Sequence, residues 1–383
     1  MNHTSPAARR ETARRREAAE LDAEIHHAIG RGWDDPLTDE EFDRLARAIF
    51  AHQHRFVSTY RVFCELQGVG AAADVAGWRA IPPVPAGAFK VGRWAAFPED
   101  AEAAAFRTSG TTDGNPGTHH FETLGLVNAA ILPQARRFLL PDLPGIRFLF
   151  LTPPPAAAPE SSLVHMFAVF REALGMPGSR FLLERRATEG PFDPSASGDA
   201  LSGAARASEP VLVAGPAIAF LRLLESCAEV WALPAGSRAM VTGGFKGLRG
   251  AADPRVLAEA IAARLGIGVE RQVQEYGMTE LSSQYYDARL RGEGADAGAG
   301  PVFVEPPWMR ARVVDPRTGR DLPPGEIGAL VHVDLANRGS AVAVQTSDLG
   351  VRVAPGRFAL RGREPGAEER GCSLAADLWL GPA

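Results

Sequence analysis

Apolar side chains recur at helical spacing through the first 70 residues, among many charged ones. Residues 1–30 are predicted to form a charged helix whose acidic and basic residues pair at i,i+4. A longer helical region follows, with Thr38 at its N-cap and Glu41 at the capping-box position. Gly68 and Gly70 are expected to end it.

After residue 120 the pattern changes to short apolar runs that alternate with helical segments. GIRFLFL, PVLVAG, SRAMVT and VERQVQEY predict strands, and each is followed by a turn and a helical pattern. The turn after the last of them, YGMTELSS, is expected to lead into a helix. From RARVVD onward strand patterns dominate. This order predicts an α/β fold with a large central domain and a β-rich end.

A polar stretch, TSGTT, follows the strand-like segment AAFR and runs from Thr108 to Thr112. A turn that contains glycine lets backbone N–H groups converge on an anion, and the hydroxyls around it add hydrogen bonds. It is not a Walker loop, because the GxxxxGK[ST] pattern is absent. From these residues alone, a phosphate-binding loop and a structural surface loop both stay open.

Three further stretches each allow a functional and a structural interpretation. In EYGMTELSS, an aromatic residue, a glycine turn, Thr279 and Glu280 suit a base, a phosphate and a magnesium ion, or else Thr279 is a helix N-cap. In QTSDLG, Asp348 after a strand suits two ribose hydroxyls, or else a capped turn. In VTGGFKG, Gly243 and Gly244 allow a flat ring to approach the backbone, or form a simple turn.

Composition narrows the class of protein. The 383 residues carry a net charge of −5 and are 45% hydrophobic, which indicates an ordinary globular protein and disfavours a nucleic-acid binder. No apolar run is long enough for a membrane span, and the arginine-rich N-terminus lacks the apolar core of a signal peptide. The 3 cysteines are far apart and odd in number, so we expect free thiols and a cytoplasmic location.

The order and spacing of the four stretches resemble the adenylate-forming superfamily of acyl-CoA synthetases, luciferase-like ligases and adenylation domains. TSGTT is similar to its phosphate loop, TGG to its adenine segment, YGMTE to its core motif, and TSDLG to its Thr-Gly-Asp motif with Ser347 for glycine. RGR, at Arg361 to Arg363, stands where its hinge-proximal Gly-Arg falls. VTGGFKG and the ending RGREPGAEERGCSL resemble the acyl-protein synthetase branch of bacterial luminescence, which is related to phenylacetate–CoA ligases.

The resemblance implies a large adenylate-forming N-terminal domain at 86–360, with a helical region at 1–85 packed on it. Residues 361–383 would be a remnant of the hinge, so that the C-terminal lid domain is truncated or absent. Members of the superfamily use ATP and Mg²⁺ to convert a carboxylic acid into an acyl-adenylate, and pass the acyl group to a thiol or another acceptor. The attacking carboxylate is already ionised, so catalysis rests on positioning and charge neutralisation.

The resemblance also assigns roles to single residues. Thr279 would contact the α-phosphate, Glu280 would bind Mg²⁺, and Cys372 would accept the acyl group. Tyr276 would stack on adenine beside Gly277. The other nucleotide-binding residues would be Thr108, Ser109, Gly110, Thr111, Thr112, Gly243, Gly244, Asp348 and Arg363. The carboxylic acid would lie near His165, Gly215 and Phe245.

Departures from the family pattern leave alternatives open. The lysine that usually follows the phosphate loop is missing, with His119 or His120 as replacement cations or ordinary loop residues, and no lysine follows Lys246. Cys372 is either the acyl acceptor or a small buried residue, and the helix of His165 either lines a pocket or is core. We expect an acid–thiol ligase with a possible acyl-acceptor protein. The alternatives are a binding protein that keeps the fold, non-catalytic or partner-dependent, and a CoA ligase with an altered acceptor site.

Overall fold

The computed structural model describes residues 5–108, 116–183, 194–243, 254–293 and 300–364. These residues form three N-terminal helices, a separate β-hairpin and a large mixed sheet with helices packed against it. The α/β class expected from the alternation of strands and helices is therefore confirmed. Within these ranges, no helix combines the length and the apolar character that crossing a membrane requires.

The N-terminal helices are α1 (Pro6–Arg31), α2 (Asp39–Phe56) and α3 (Ser58–Leu66). The predicted capping box is confirmed, since Thr38 Oγ1 accepts from the Glu41 N–H at 3.2 Å and Glu41 Oε2 accepts from the Thr38 N–H at 2.8 Å. The long helical region expected after Thr38 is divided in two, because Val57 has an extended backbone with φ −97° and ψ 96°. Gly68, with a φ of +83°, follows the end of α3.

The central sheet contains β1 (Val84–Pro85), β4 (Arg147–Phe150), β5 (Arg180–Phe181), β6 (Val211–Pro216), β7 (Arg238–Thr242), β8 (Gln272–Tyr276), β9 (Tyr285–Asp287), β10 (Val302–Val304), β11 (Met309–Val314), β12 (Ile327–Asp334), β13 (Ala343–Ala354) and β14 (Arg357–Arg363). Their order is β11-β12-β13-β14-β10-β9-β8-β7-β6-β4-β5, and β1 pairs with β13. The pairs from β5 to β8 are parallel, and those from β8 to β11 are antiparallel. The carboxyl ends of the parallel strands therefore lie together, where open α/β sheets bind their ligands.

The other elements are the hairpin of β2 (Ala104–Arg107) and β3 (Thr118–Phe121) and the helices α4 (Gly125–Phe138), α5 (Ser162–Leu174), α6 (Ser195–Ala205), α7 (Ala217–Ser226) and α8 (Pro254–Leu265). Helix α4 contains a proline, Pro133, and the Ser161 side chain caps α5. The sequence pattern does not predict α6, because the residues that this helix buries are mostly too small to form a clear apolar stripe. They are Ser197, Ala200, Leu201 and Ala204.

The buried apolar residues form two main clusters. One lies between the parallel strands and α4 to α8, and the other joins the N-terminal helices to the antiparallel strands. Gln53 of α2 ties the second cluster together, because its Nε2 donates to the carbonyls of Asn337 at 2.7 Å and Arg338 at 3.0 Å. Its Oε1 accepts from the Val342 N–H at 2.9 Å. These bonds fix the connection between β12 and β13. The domain boundaries at 85 and 360, expected from the sequence, remain predictions.

Candidate functional site

Residues from three distant motifs meet, because Tyr276 and Arg363 both donate to the Asp348 carboxylate. Asp348 of β13 and Arg363 of β14 lie directly opposite each other in the sheet, and Arg363 Nε donates to Asp348 Oδ1 at 2.6 Å. Tyr276, the last residue of β8, donates its hydroxyl to Asp348 Oδ2 at 2.9 Å. The Asp348 side chain is 14% exposed and remains within reach of solvent. Because a carboxylate oxygen has two lone pairs, each oxygen can still accept from another donor, such as a sugar hydroxyl.

Asp348 lies inside β13, and not after a strand as the sequence suggested. The pairing of β13 with β14 is irregular between Leu349 and Gly350, immediately after this residue. A β-bulge of this kind bends the strand and redirects its side chains, and bulges are common beside binding sites. The bulge explains why TSDLG has the composition of a turn and yet belongs to a strand.

The ring of Tyr276 belongs to an aromatic cluster. Its centroid lies 5.6 Å from that of Phe303 and 5.9 Å from that of Phe358. Burial and the nearby Asp348 carboxylate raise the pKa of the Tyr276 hydroxyl, so the group remains a donor at neutral pH. The side chain is only partly buried, and part of its surface is therefore open to a planar ligand.

Thr279 and Glu280 lie in the connection from β8 to β9. This connection consists of turns, so the helix expected after YGMTE is wrong. Its carbonyl groups are held from outside, because His119 Nδ1 lies 2.8 Å from Thr279 O and Asn337 Nδ2 donates to Glu280 O at 2.9 Å. The buried Asp334 carboxylate also accepts from the Ser282 N–H at 2.9 Å. These side-chain bonds take the place of the i→i−4 bonds that a helix would form.

The β2–β3 hairpin carries the first residue of TSGTT. Thr108 Oγ1 accepts from the Gly117 N–H at 2.7 Å, and the Thr108 N–H donates to Gly117 O at 2.8 Å. The two ends of the loop are therefore held together at Thr108. Ser109, Gly110, Thr111 and Thr112 lie outside the described residues, and their phosphate-binding role stays a prediction.

The two histidines of this hairpin do not supply a positive charge at neutral pH. Burial lowers the pKa of His119 to about 4, and its Nδ1–H donates to Thr279 O. Burial also lowers the pKa of His120, whose Nδ1 lies 2.8 Å from Glu102 Oε2. Neither imidazole therefore supports the idea that a histidine replaces the missing lysine. The contact of His119 instead positions the Thr279 backbone.

A buried carboxyl without a predicted role lies at the ends of β7 and β8. Glu275 is 6% exposed and lies directly opposite Thr242, whose hydroxyl donates to it. Burial raises the pKa of Glu275 to about 7. A Cβ at Gly277 would come within 2.5 Å of Glu275 Oε1. Glycine at this position of the YGMTE motif therefore leaves room for the neighbouring carboxyl.

The rest of the predicted adenine segment follows β7. Gly243 directly follows this strand with a φ of +73°, a left-handed conformation that favours glycine. Gly244 and Phe245 come next and lie outside the described residues, as does Cys372. Their roles stay predictions.

The candidate substrate residues His165 and Gly215 both have packing partners. His165 Nε2 lies 2.7 Å from Asn128 Oδ1, and burial lowers the pKa of this imidazole. Gly215 is buried in β6, and a Cβ there would come within 2.7 Å of Leu151 Cβ. Close packing against Leu151 is therefore sufficient to require glycine at this position.

The hairpin contacts two other segments that carry candidate residues. Phe106 of β2 packs against His165, with ring centroids 5.3 Å apart, while His119 of β3 bonds to Thr279. Thr108 lies at the end of the same hairpin. The structure thus joins Tyr276, Asp348 and Arg363 by direct bonds. Separately, β2 and β3 link Thr108, His165 and Thr279.

Similar solved structures establish the fold. The 2-hydroxyisobutyryl-CoA ligase in an open conformation with 2-HIB-AMP and CoA has a TM-score of 0.60 at 14% identity, over 87% of this chain and 72% of the ligase. The same ligase in the postadenylation state with 2-HIB-AMP has a TM-score of 0.61 at 13% identity, over 86% and 69% of the two chains. The chain has the fold of this ligase. The α/β fold that the resemblance implied is therefore confirmed.

Comparisons with other known proteins give a weaker likeness or none. ATP-bound MatB from Rhodopseudomonas palustris has a TM-score of 0.47 at 20% identity, over 80% of this chain and 58% of the MatB chain. No protein-family model and no curated protein matches the sequence. The likeness to known proteins therefore extends to the fold, and the chemistry of the site must be argued from its residues.

Two polar residues of this site were missed by the sequence patterns. Glu275 is the first residue of the EYGMTE stretch, and His332 lies in the apolar strand LVHVD. His332 is fully buried between the hydroxyls of Tyr276 and Tyr285. A titratable residue within a buried strand is the available signal, because burying such a group is unfavourable without a specific partner.

Proposed function

We propose that the protein binds ATP at the carboxyl ends of β7 and β8 and uses it to activate a carboxylic acid as an acyl-adenylate. The meeting of Tyr276, Asp348 and Arg363 carries this proposal. A partly open phenol ring suits a base, a carboxylate with free lone pairs suits the two sugar hydroxyls, and a guanidinium orients that carboxylate. The fold supports the proposal, because it is shared with a ligase solved with an acyl-AMP, 2-HIB-AMP.

Glu280 is our candidate ligand for Mg²⁺. Among the described residues, no cluster of three or more His, Cys, Asp or Glu side chains is placed to hold a metal ion. Mg²⁺ in nucleotide-dependent enzymes typically takes one or two carboxylates together with phosphate oxygens and water, so a single protein carboxylate fits. The bound ion would neutralise phosphate charge. The chain's own contribution is to hold the backbone at Thr279 and Glu280 through His119 and Asn337.

We further propose a thiol as the acyl acceptor, with Cys372 as the candidate within this chain, as in the acyl-protein synthetase branch. The two described cysteines do not suit this role. Cys64 is fully buried, and burial raises its pKa to about 12. Burial and Glu229 raise the pKa of Cys227 as well. Both are free thiols, which agrees with a reducing cytoplasm as the proposed location.

Exchange of labelled pyrophosphate into ATP, measured with a panel of carboxylic acids, tests the adenylation step. We expect exchange with at least one acid. We also expect Asp348→Asn to raise the KM for ATP about tenfold or more, because it removes a charged acceptor. Asp199→Asn on α6, an exposed position, is the matched control and should leave that KM unchanged. Absence of exchange with every acid would contradict the proposal.

A further inference from the structure

A buried line of hydrogen bonds runs from the Asp348 carboxylate into the sheet. The Tyr276 hydroxyl donates to Asp348 Oδ2 at 2.9 Å, and the Tyr276 hydroxyl oxygen lies 3.3 Å from His332 Nε2. On the other side of the imidazole, His332 Nδ1 lies 2.9 Å from the Tyr285 hydroxyl. His332 and Tyr285 are both fully buried, at 0% exposure. The line therefore begins at the proposed ribose-binding carboxylate and ends in the core.

Donors and acceptors in this line can be satisfied in one arrangement. Tyr276 has a single hydroxyl proton, and the Asp348 carboxylate paired with Arg363 takes it. The Tyr276 oxygen must then accept from His332 Nε2–H. A neutral imidazole carries one N–H, so Nδ1 is the acceptor and the Tyr285 hydroxyl donates to it. Burial lowers the pKa of His332 to about 4, which keeps the ring neutral.

The sheet places the two phenols where one imidazole can join them. Tyr276 and Tyr285 are directly opposite in the antiparallel pair of β8 and β9, so their side chains share a face. His332 comes from β12, and its ring centroid lies 5.6 Å from that of Tyr276 and 5.2 Å from that of Tyr285. An apolar residue in place of His332 would fill this space without the free-energy cost of burying polar groups. The buried hydrogen-bond line therefore indicates a function at its solvent-accessible end, where Asp348 lies.

We propose that His332 is a positioning residue for the nucleotide: its Nε2–H holds the Tyr276 hydroxyl so that the phenol proton is directed to Asp348, and Tyr285 fixes the imidazole tautomer. This inference rests on the proposed function. It adds that the orientation of the ribose-binding carboxylate is set from the core. Tyr276 occupies one Asp348 oxygen and Arg363 the other, and the remaining lone pairs are presented to the two sugar hydroxyls.

Removing the far end of the line gives the sharpest test. In Tyr285→Phe, Nδ1 loses its donor, so the imidazole can take the other tautomer and the Tyr276 proton can turn away from Asp348. Tyr286→Phe is the matched control, because Tyr286 is the next residue, is equally buried, and its hydroxyl contacts Met166 Sδ at 3.5 Å. His332→Phe breaks the line at its centre, whereas His332→Gln keeps a donor and an acceptor.

The measurements are the Kd for ATP with Mg²⁺ by titration calorimetry, the KM values for ATP and the acid, and the tautomer of His332 by NMR of nitrogen-labelled histidine. We expect the Kd and the KM for ATP to rise about fivefold in Tyr285→Phe and about tenfold in His332→Phe, the range of one or two hydrogen bonds. His332→Gln and Tyr286→Phe should stay within about twofold of the parent, and so should the KM for the acid in every variant.

The outcomes separate this inference from the proposed function. A chain that binds ATP equally well with Tyr285 or Phe at this position overturns the inference, as does an Nδ1–H tautomer in the parent. If His332→Phe does not fold, Tyr285→Phe and the tautomer decide the question. A parent chain that binds no ATP overturns the proposed function itself, and the nucleotide role of His332 with it, even if NMR finds the Nε2–H tautomer.

Discussion

The buried carboxyl of Glu275 should make the stability of the protein depend on pH. Glu275 is 6% exposed, and the Thr242 hydroxyl donates to its carboxyl group. Burial raises its pKa from 4.5 to about 7, and the hydrogen bond from Thr242 opposes this only in part. The variant that tests this is Glu275→Gln, which keeps the shape of the side chain and an acceptor for Thr242 but cannot ionise.

The direction of this pH dependence follows because the unfolded chain loses the Glu275 proton at a lower pH than the folded chain does. Below pH 4.5 the carboxyl is protonated in both the folded and the unfolded chain and contributes no pH dependence. Between pH 4.5 and about 7 the unfolded chain ionises while the folded chain keeps its proton, so stability falls as the pH rises. At about 1.4 kcal/mol per pH unit, the full loss above pH 7 is about 3 kcal/mol.

The assay is urea unfolding of the parent and of Glu275→Gln at several pH values between about 4.5 and 8, compared as a difference in free energy. Burial also raises the pKa values of Asp287 and Asp334 to about 6, but both carboxyls are present in both chains, so their contributions cancel. The glutamine variant should gain up to about 3 kcal/mol on the parent as the pH rises through this interval. Glu225→Gln on the exposed side of α7 controls for the substitution itself.

Two results would refute this reasoning. One is a difference between the parent and Glu275→Gln that does not change with pH. The other is a parent that becomes more stable than the variant as the pH rises, because that result would mean that the folded chain favours the charged form. Either would show that Glu275 is better solvated, or better paired, than its burial implies.

Two further predictions concern packing and charge. Gly215→Ala should lower the free energy of unfolding by about 1–3 kcal/mol, because its Cβ would meet Leu151 at 2.7 Å, whereas Gly203→Ala in α6, with nothing within 4 Å, should raise it slightly in the same urea experiment. Arg338 is 3% exposed and donates to both Asp22 oxygens, at 2.7 and 2.8 Å. Arg338→Met should therefore cost about 3 kcal/mol, and less in an Asp22→Asn background; strictly additive losses in this double-mutant cycle would contradict the prediction.

Local signals predicted much of the fold. The capping box at Thr38 and the strands β4, β6, β7 and β8 follow from short-range patterns, and the structure confirms them. These features depend on hydrogen bonds and packing within a few residues of the chain. The same reasoning fails for α6, where small side chains hide the apolar stripe.

The errors around the site have a common cause. The segment after YGMTE has local features of a helix start, but its polar groups bond to His119, Asn337 and Asp334, which are distant in sequence. His332 and Glu275 were missed for the same reason, because each acquires its partners only when strands pair. Local propensity was overridden wherever a tertiary hydrogen bond satisfied the backbone or a buried side chain instead.

The contact between Tyr276 and Asp348 shows what no local pattern encodes. Their strands, β8 and β13, are separated by β9, β10 and β14 in the sheet order. Neighbouring strands lie about 4.8 Å apart, so four steps across a flat sheet would separate the two backbones by about 19 Å, too far for a phenol and a carboxylate to meet. The observed distance of 2.9 Å therefore requires the antiparallel half of the sheet to curl back towards β8. Irregular register between β12 and β13 and between β13 and β14 bends these strands, and the bend beside Leu349 directly follows Asp348. The site is thus a consequence of sheet curvature: the motifs supply its side chains, and the bulges bring them together.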